Sequence, residues 1–214
     1  TSQGIPVINS KHPVCFSTDK RDKRLRVSIL VEWDNFAFVV DCGPDFRYQM
    51  LRANVNAING VLFTHEHSDH TAGLDDLRPY SFQMGGVPIY AQQRVLDNLA
   101  KRFDYIFIEE NKYPGAPSVK QNTIGNAPFL LKNLEVIPVE VHHGKLKIFG
   151  YRFKNIAYLT DVKSIDAAEK EKLKNLEVLI INAIRHKPHH SHLNLNEALA
   201  LIKELKPKKT YFTH

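Results

Sequence analysis

The feature that most constrains this chain is a cluster of metal-ligand side chains directly after an apolar run. The apolar run, NGVLFT at 59–64, is typical of a short strand that is buried on both faces. The cluster, HEHSDH at 65–70, places imidazole and carboxylate groups where burial is costly unless a cation binds them. Residues i and i+2 of extended backbone share a face, so His65 and His67 can converge on one ion. The motif therefore predicts a metal centre at the end of a buried strand.

Further candidate ligands make the predicted centre larger than one ion requires. Asp69 and His70 lie past the strand and can face a neighbouring ion. Other candidates follow later predicted strands, whose ends a sheet can bring to one edge; they are His142 or His143, Asp161 and His214. One catalytic zinc needs three protein ligands, whereas two ions about 3.5–4 Å apart with a bridging carboxylate would use seven. The ligand count therefore predicts a dinuclear centre.

Composition indicates an ordinary globular protein. The 214 residues are 43% hydrophobic and 24% charged, which predicts a single domain over 1–214 rather than a disordered chain. No apolar run approaches the roughly 18 residues of a membrane span, so we expect no membrane partner. Cys15 and Cys42 are too few for a disulfide framework and no secretory segment is recognisable, so we expect a cytoplasmic protein.

The charge balance favours anionic partners. Lys and Arg number 29 against 23 Asp and Glu, a formal charge of +6. The basic runs at 20–26 and 203–209 contain no interleaved aromatic residues, so a small phosphorylated substrate is favoured over nucleic acid. The sequence leaves the oligomeric state open, a homodimer included.

Hydrophobic periodicity predicts a mixed α/β chain. Strands are expected at 27–32, 36–41, 59–64, 87–90, 134–141, 146–153, 155–160, 177–182 and 209–214, and helices at 46–53, 91–102, 164–174 and 194–205. Asn194 is the expected cap of the last helix. The segment 109–128 contains three prolines and few large apolar side chains, so we expect it to cross the surface as a loop.

The chain resembles a known superfamily. HEHSDH fits the HxHxDH signature of the metallo-β-lactamase superfamily, and the later His, Asp and His follow its order. More narrowly, the chain is similar to the branch that contains the bacterial phosphoribosyl 1,2-cyclic phosphate phosphodiesterase, and the tRNA 3′-end processing nucleases are more distant relatives. The segments that carry this similarity are TSQGIPV at 1–7, DFR at 45–47, FTHEHSDHTAGLDDLRPY at 63–80, HGK at 143–145 and FTH at 212–214.

The resemblance implies a fold. It implies a four-layer αββα sandwich whose two halves each hold mostly antiparallel strands with helices outside. We expect the first strand and the last elements of that pattern to be missing from this chain. Many relatives also hold a structural zinc near the amino end; here NSKHPVC at 9–15 offers only His12 and Cys15, so that zinc is not expected.

The resemblance also implies a ligand set. His65, His67 and His143 would hold one ion, Asp69, His70 and His214 the other, and Asp161 would bridge both. His143 is preferred to His142 because the glycine after it matches the family. Without a thiolate, such a site suits two divalent ions of zinc or manganese, and iron is also compatible.

Catalytic and substrate-binding roles follow from the same resemblance. SHLNLNEAL at 191–199 matches a segment whose histidine acts as general acid, so His192 is expected to protonate the leaving oxygen, and Asp69 is the second catalytic residue. Arg47, Arg78 and Arg185 are candidate phosphate clamps, with structural ion pairing as the alternative.

These observations favour a dinuclear metal-dependent hydrolase. The leading hypothesis is a phosphodiesterase acting on a small or cyclic phosphodiester, with hydroxide between the ions as nucleophile. Alternatives that keep the same site are an RNA-processing nuclease and a thioester or lactone hydrolase. A non-catalytic metal-binding domain is less favoured, because all seven ligand types are present.

Overall fold

The computed structural model describes residues 2–214; Thr1, the first residue of the TSQGIPV segment, lies outside them. The chain divides into two compact units, an amino-terminal unit that ends at Ile124 and a carboxyl-terminal unit, Gly125–His214. Each unit contains one sheet and one hydrophobic core. The single domain expected over 1–214 stays a prediction.

The amino-terminal unit is built on a five-stranded sheet in the order β1-β2-β3-β4-β5. Its strands are β1 (Ile29–Trp33), β2 (Phe36–Val40), β3 (Gly60–Leu62), β4 (Val87–Ala91) and β5 (Val119–Thr123). β1 and β2 form the predicted antiparallel hairpin, but every other neighbouring pair is parallel. The expectation of mostly antiparallel strands is therefore wrong for this sheet. Helical connections after β2, β3 and β4 return the chain to the same end before each new strand, which requires parallel pairing.

Over residues 2–124 the unit contains five α-helices, and four of them contribute buried apolar residues to its core. The helices are α1 (Phe46–Ala53), α2 (Ser68–Thr71), α3 (Arg78–Met84), α4 (Gln93–Arg102) and α5 (Asp104–Phe107). In α4, Val95, Leu96 and Leu99 are buried, a spacing that places them on one helical face. All three residues of β3 are buried as predicted, because strands flank it on both sides. The strand before the HEHSDH cluster is thus central in its sheet.

The carboxyl-terminal unit has a six-stranded sheet in the order β11-β10-β9-β8-β7-β6. Its strands are β6 (Phe129–Leu131), β7 (Leu134–His143), β8 (Leu146–Phe153), β9 (Ile156–Leu159), β10 (Val178–Asn182) and β11 (Lys209–Thr213). β6 to β9 pair antiparallel, whereas β9, β10 and β11 are parallel. The helices are α6 (Ala167–Glu171) and α7 (Leu195–Leu205). The expected cap of α7 is confirmed, since the Asn194 side chain accepts from the Glu197 N–H and Glu197 reciprocates.

Two predicted segments differ in the structure. The loop expected at 109–128 contains β5, whose polar sequence VKQNT hides the strand because an edge position needs only backbone pairing with β4. The helix expected at 164–174 is confined to α6. The mixed α/β class is confirmed. Among the described residues, no helix is both long and apolar enough to cross a lipid bilayer.

Candidate metal centre

The amino-terminal unit presents four donors on the short segment that follows β3 and continues into α2. His65 and His70 are fully buried, whereas His67, the residue before α2, is exposed. His65 Nε2 lies 3.1 Å from His67 Nδ1. Two imidazole nitrogens bound tetrahedrally to one zinc ion would lie about 3.3 Å apart, given zinc–nitrogen bonds of about 2.0–2.1 Å. The two imidazoles therefore fit a shared divalent cation, as their i, i+2 spacing predicts.

The second pair on this segment is Asp69 and His70. His70 Nε2 lies 3.5 Å from Asp69 Oδ2, and the opposite ring nitrogen, Nδ1, lies 2.7 Å from Asp41 Oδ2. A carboxylate at Nδ1 favours the tautomer that leaves Nε2 available as a ligand. His65 is held similarly, since its Nδ1 lies 2.9 Å from Thr64 Oγ1. Both buried histidines thus present Nε2.

Asp41 is a functional residue that sequence reasoning missed. Its carboxylate is completely buried and also accepts hydrogen bonds from the backbone N–H of Thr64 at 2.8 Å and from Thr64 Oγ1 at 2.9 Å. Asp41 follows β2 with a φ of 64°, in the left-handed region that aspartate tolerates better than most residues. An acidic residue just after a strand, in VVDCG, was the available signal. The carboxylate fixes the ligand loop, residues 65–70, from the end of the neighbouring strand β2.

A glycine lets the turn after β2 approach the ligand loop. A Cβ atom at Gly43 would lie 2.0 Å from the carbonyl oxygen of Asp69. The N–H of Gly73 donates to the carbonyl of Cys42 at 2.9 Å, which joins the two turns a second time. Only glycine at position 43 permits this packing.

The carboxyl-terminal unit gathers its donors around Asp161. His214 Nε2 lies 3.1 Å from Asp161 Oδ1, while His192 Nε2 and His143 Nε2 lie 3.7 Å and 3.9 Å from Oδ2. Asp161 is 2% exposed and has a φ of 58°, so this acid after β9 has the same left-handed backbone as Asp41. Three histidines from distant parts of the sequence therefore face one carboxylate.

The loop before α7 orients two of these histidines. His143 Nδ1 lies 2.9 Å from the carbonyl of Ser191, so it donates there and directs Nε2 towards Asp161. Gly144, with a φ of 62°, makes the tight turn that places a Cβ position only 3.4 Å from Ser191 Cβ. His192 Nδ1 lies 3.0 Å from Ser191 Oγ and 3.1 Å from His189 Nδ1. Partial burial, with His192 and His190 nearby, lowers the pKa of His189, which favours the neutral form that can accept a hydrogen bond.

The remaining predicted residues have other contacts. His142 points to Asp166, with Nε2 3.1 Å from Oδ2, while the next residue, His143, faces Asp161. Alternation along β7 separates the two side chains. Within residues 2–214, His12 and Cys15 belong to no group of three or more clustered donors.

The three candidate phosphate clamps lie in different surroundings. Arg78 forms an ion pair with Asp75 at 2.8 Å and donates to the carbonyl of Gly115. Arg185 donates to the carbonyls of Lys187 and Pro188. Arg47 is exposed on α1. Their phosphate-binding role stays a prediction.

The chemistry of both donor sets is that of a divalent-metal site. Each consists of imidazole and carboxylate groups, and in His70, His65 and His143 the ring nitrogen opposite the donor atom is held by Asp41, Thr64 and a backbone carbonyl, respectively. Neither set includes a thiolate, since Cys42 is fully buried and burial raises its pKa well above the ordinary value. The donor sets therefore indicate divalent-metal binding.

Comparisons with known proteins agree with this chemistry. Residues 37–214 match the family model described as Beta-lactamase superfamily domain. A solved structure described as a new diphosphatase from the PhnP family is 41% identical, with a TM-score of 0.93, and the alignment covers 100% of this chain and 83% of that one.

Curated relatives match over different lengths. An octanoyltransferase of Porphyromonas gingivalis (strain ATCC BAA-308 / W83) is 40% identical over all of this chain, which spans only 44% of that protein. A ribonuclease Z of Mycobacterium sp. (strain KMS) is 42% identical over 57 residues, or 26% of this chain and 20% of that protein. The chain thus spans less than half the length of either curated relative. The family model and the full-length structural match together show that the chain belongs to the beta-lactamase superfamily and, within it, to the PhnP family.

Proposed function

We propose that this chain is a metal-dependent hydrolase, and specifically a phosphodiesterase that acts on a small or cyclic phosphodiester. The observation that carries the proposal is the convergence of His143, His192 and His214 on the carboxylate of Asp161. It occurs in a chain that is 41% identical over its whole length to a PhnP-family diphosphatase, which supports a phosphate-containing substrate. The ribonuclease Z of Mycobacterium sp. (strain KMS) matches only 26% of this chain, so nucleic acid is not part of the proposal.

In this proposal the two donor sets serve one pair of divalent ions, zinc or manganese. The assignment is His65, His67 and His143 on the first ion, Asp69, His70 and His214 on the second, and Asp161 on both. It is supported by the order of the donors along a superfamily member and by their geometry within each unit. Iron is compatible with the same donors.

The residues of the chain supply the proton transfer. Bound divalent ions would provide a nucleophilic water at neutral pH and offset negative charge on the phosphoryl oxygens. His192 Nε2 is buried and accepts or donates no hydrogen bond among residues 2–214, so it can donate its proton to substrate. When the phosphorus–oxygen bond breaks, the leaving oxygen keeps the electron pair and takes that proton. Asp69, partly exposed beside His70, can accept a hydrogen bond from the attacking water.

The first experiment measures hydrolysis of bis(4-nitrophenyl) phosphate by the full chain. We expect turnover to disappear after chelation, to return with zinc or manganese, and to fall at least about a hundred-fold in His67→Ala. His142→Ala is the matched control, because that side chain pairs with Asp166 instead. Metal-independent turnover, or full turnover in His67→Ala, would overturn the proposal.

The role of His192 has a separate signature. Without a general acid, the hydrolysis rate falls more for a substrate with a poor leaving group than for one with a good leaving group. The reason is that 4-nitrophenolate, a good leaving group, needs little protonation. We expect His192→Ala to lose about a hundred-fold more rate on an alkyl phosphodiester than on bis(4-nitrophenyl) phosphate. Equal losses on both substrates would remove His192 from the role of general acid.

One relative favours a second candidate, an acyl substrate. The octanoyltransferase of P. gingivalis matches along the whole of this chain. An octanoyl thioester, assayed beside the phosphodiester with the same metals, separates the two. Metal-dependent thioester hydrolysis without phosphodiester hydrolysis would replace the leading proposal.

A further inference from the structure

We propose that Arg102 is a positioning residue that holds the ligand loop, residues 65–70, in its metal-binding geometry. The inference rests on the proposed metal centre but concerns a side chain that is not itself a donor. Arg102 is the last residue of α4 and lies far from the HEHSDH motif along the chain. Its guanidinium nevertheless contacts three residues next to the donors, namely Glu66, Ser68 and Thr71.

The contacts of Arg102 alternate with the donor positions. Nη1 donates to the carbonyl of Glu66 at 2.8 Å and to Thr71 Oγ1 at 3.0 Å, and Nη2 donates to Ser68 Oγ at 3.2 Å. Glu66 and Ser68 are the two neighbours of His67. One guanidinium therefore holds the chain on both sides of this donor.

The hydroxyl of Thr71 extends the contact to His67 itself. Thr71 Oγ1 accepts from Arg102 and donates to the carbonyl of His67 at 2.9 Å. His65 and His70 are fully buried and lie against Thr64 and Asp41, but His67 is exposed. Packing contributes least to the position of His67, so hydrogen bonds to its flanking carbonyls matter most there.

Arginine suits this task better than lysine. Its planar fork can donate to a carbonyl and a hydroxyl at the same time, whereas an ammonium group on a flexible chain cannot reproduce that geometry. The guanidinium carbon lies 5.3 Å from the centroid of the Phe103 ring, and the α4 face that carries Val95, Leu96 and Leu99 is buried. The loop is thus fixed to a helix that the core holds in place. Arg94, two turns earlier, pairs with the carboxylate of Glu66 and adds to the same attachment.

The test compares metal binding by Arg102→Gln, Arg102→Lys and the unchanged full chain. Zinc affinity is measured by competition with a chelator, and coordination geometry by the absorption spectrum of the cobalt(II)-loaded protein. We expect Arg102→Gln to weaken zinc binding about ten-fold and to alter the cobalt spectrum, because outer residues that orient ligands have effects of about 10–100-fold. Arg102→Lys should restore only part of the affinity.

Lys101→Gln is the matched control, since it removes the adjacent exposed charge of the same helix. We expect its affinity and spectrum to be unchanged. Unchanged binding and spectrum in Arg102→Gln, while the parent chain binds metal, would overturn the positioning role and leave the proposed function intact. Loss of thermal stability with an unaltered cobalt spectrum and affinity would also overturn it. A parent chain that binds no zinc or cobalt would instead overturn the proposed function.

Discussion

The two units deliver their donors in opposite ways. The amino-terminal unit carries His65, His67, Asp69 and His70 on a single loop after one strand. In the carboxyl-terminal unit, Asp161 follows β9, while the histidines around it end β7, follow β11 or precede α7. The first set depends on the conformation of a few consecutive residues, and the second depends on the register of a whole sheet.

This difference teaches where each set is vulnerable. The loop is held by Thr64, the residue before it, and by Asp41, which follows the adjacent strand β2. The dispersed set meets at the carboxylate of Asp161. The strands that carry or precede its donors, β7, β9 and β11, are not neighbours in the sheet, because β8 and β10 lie between them. One change at the shared carboxylate should therefore affect three histidines together, whereas a change beside the loop should affect one.

The largest expected effect comes from Asp161→Asn. The substitution keeps the size and left-handed backbone preference of the residue but removes the charge that faces three histidines. We expect bis(4-nitrophenyl) phosphate turnover to fall at least about a hundred-fold, because Asp161 is itself a proposed ligand and residues that only orient ligands already have effects of about 10–100-fold. Asp166→Asn, the same change at the partner of His142, should stay within about two-fold. A similar rate in both variants would contradict the convergence on Asp161.

The next effect concerns Asp41→Asn in the other unit. The amide would place a donor against either His70 Nδ1 or the Thr64 groups, so His70 would lose its orientation. We expect zinc affinity, measured by chelator competition, to fall about 10–100-fold. Asp34→Asn, the same change at another left-handed position in the turn after β1, serves as control. An unchanged affinity in Asp41→Asn would show that the loop holds its donors without this carboxylate.

A smaller effect should appear in the stability of the carboxyl-terminal unit. Burial alone would raise the pKa of Glu169, but hydrogen bonds from Lys172, Asn126 and the N–H of Glu140 outweigh it and lower the pKa. Because the folded pKa is depressed, the stabilisation is present above the unfolded pKa of about 4.3 and is lost as pH falls through the folded value. We expect Glu169→Gln to lower the free energy of unfolding by about 1–2 kcal/mol at pH 7, and by progressively less in acid.

Denaturant unfolding at pH 7, 5, 4 and about 3 checks this pH dependence, because the loss is expected below the unfolded pKa. Glu171→Gln is the matched control, because Glu171 pairs with Lys174 and both side chains are well exposed. We expect almost no change in that variant. A Glu169→Gln deficit that stays constant with pH would contradict the assigned role of the carboxylate, whose bond to Glu140 lies three residues before His143.

The smallest expected effect is at the cap of α7. Asn194→Ala removes the acceptor for the Glu197 N–H at 2.9 Å, and we expect a loss of about 1 kcal/mol in unfolding free energy. Asn194→Ser keeps a capping oxygen and should retain most of that stability. Turnover should change less than two-fold in both, although the cap lies two residues after His192. A large loss of turnover would show that helix capping and donor placement are not separable in this unit.

The same contrast explains what could be predicted from the sequence. Dense spacing made His65, His67, Asp69 and His70 recognisable without any knowledge of the fold, and amphipathic periodicity predicted α1, α4 and α7. Asp161 and His214 are single polar residues after predicted strands, a common arrangement, so their positions made them candidates and only the resemblance implied their roles as ligands.

The features that the sequence analysis did not predict also have physical explanations. Asp41 contacts residues 23 and 29 positions away, so no local pattern reveals its role. β5 is polar because an edge strand buries little, and the parallel pairing of β2 to β5 depends on connections that periodicity does not describe. Arg102 is an ordinary exposed cation in the sequence and acquires a role only from what lies beside α4.

The backbone at Asp41 and Asp161 has a consequence for how such a site can vary. Both acids have positive φ angles, 64° and 58°, at which aspartate, asparagine and glycine are accommodated and longer or branched residues are strained. Glutamate would bring both an unfavourable conformation and an extra methylene into a fully packed space. The two turns therefore restrict the acid at positions 41 and 161 to aspartate, and glutamate at either position would require a different backbone turn.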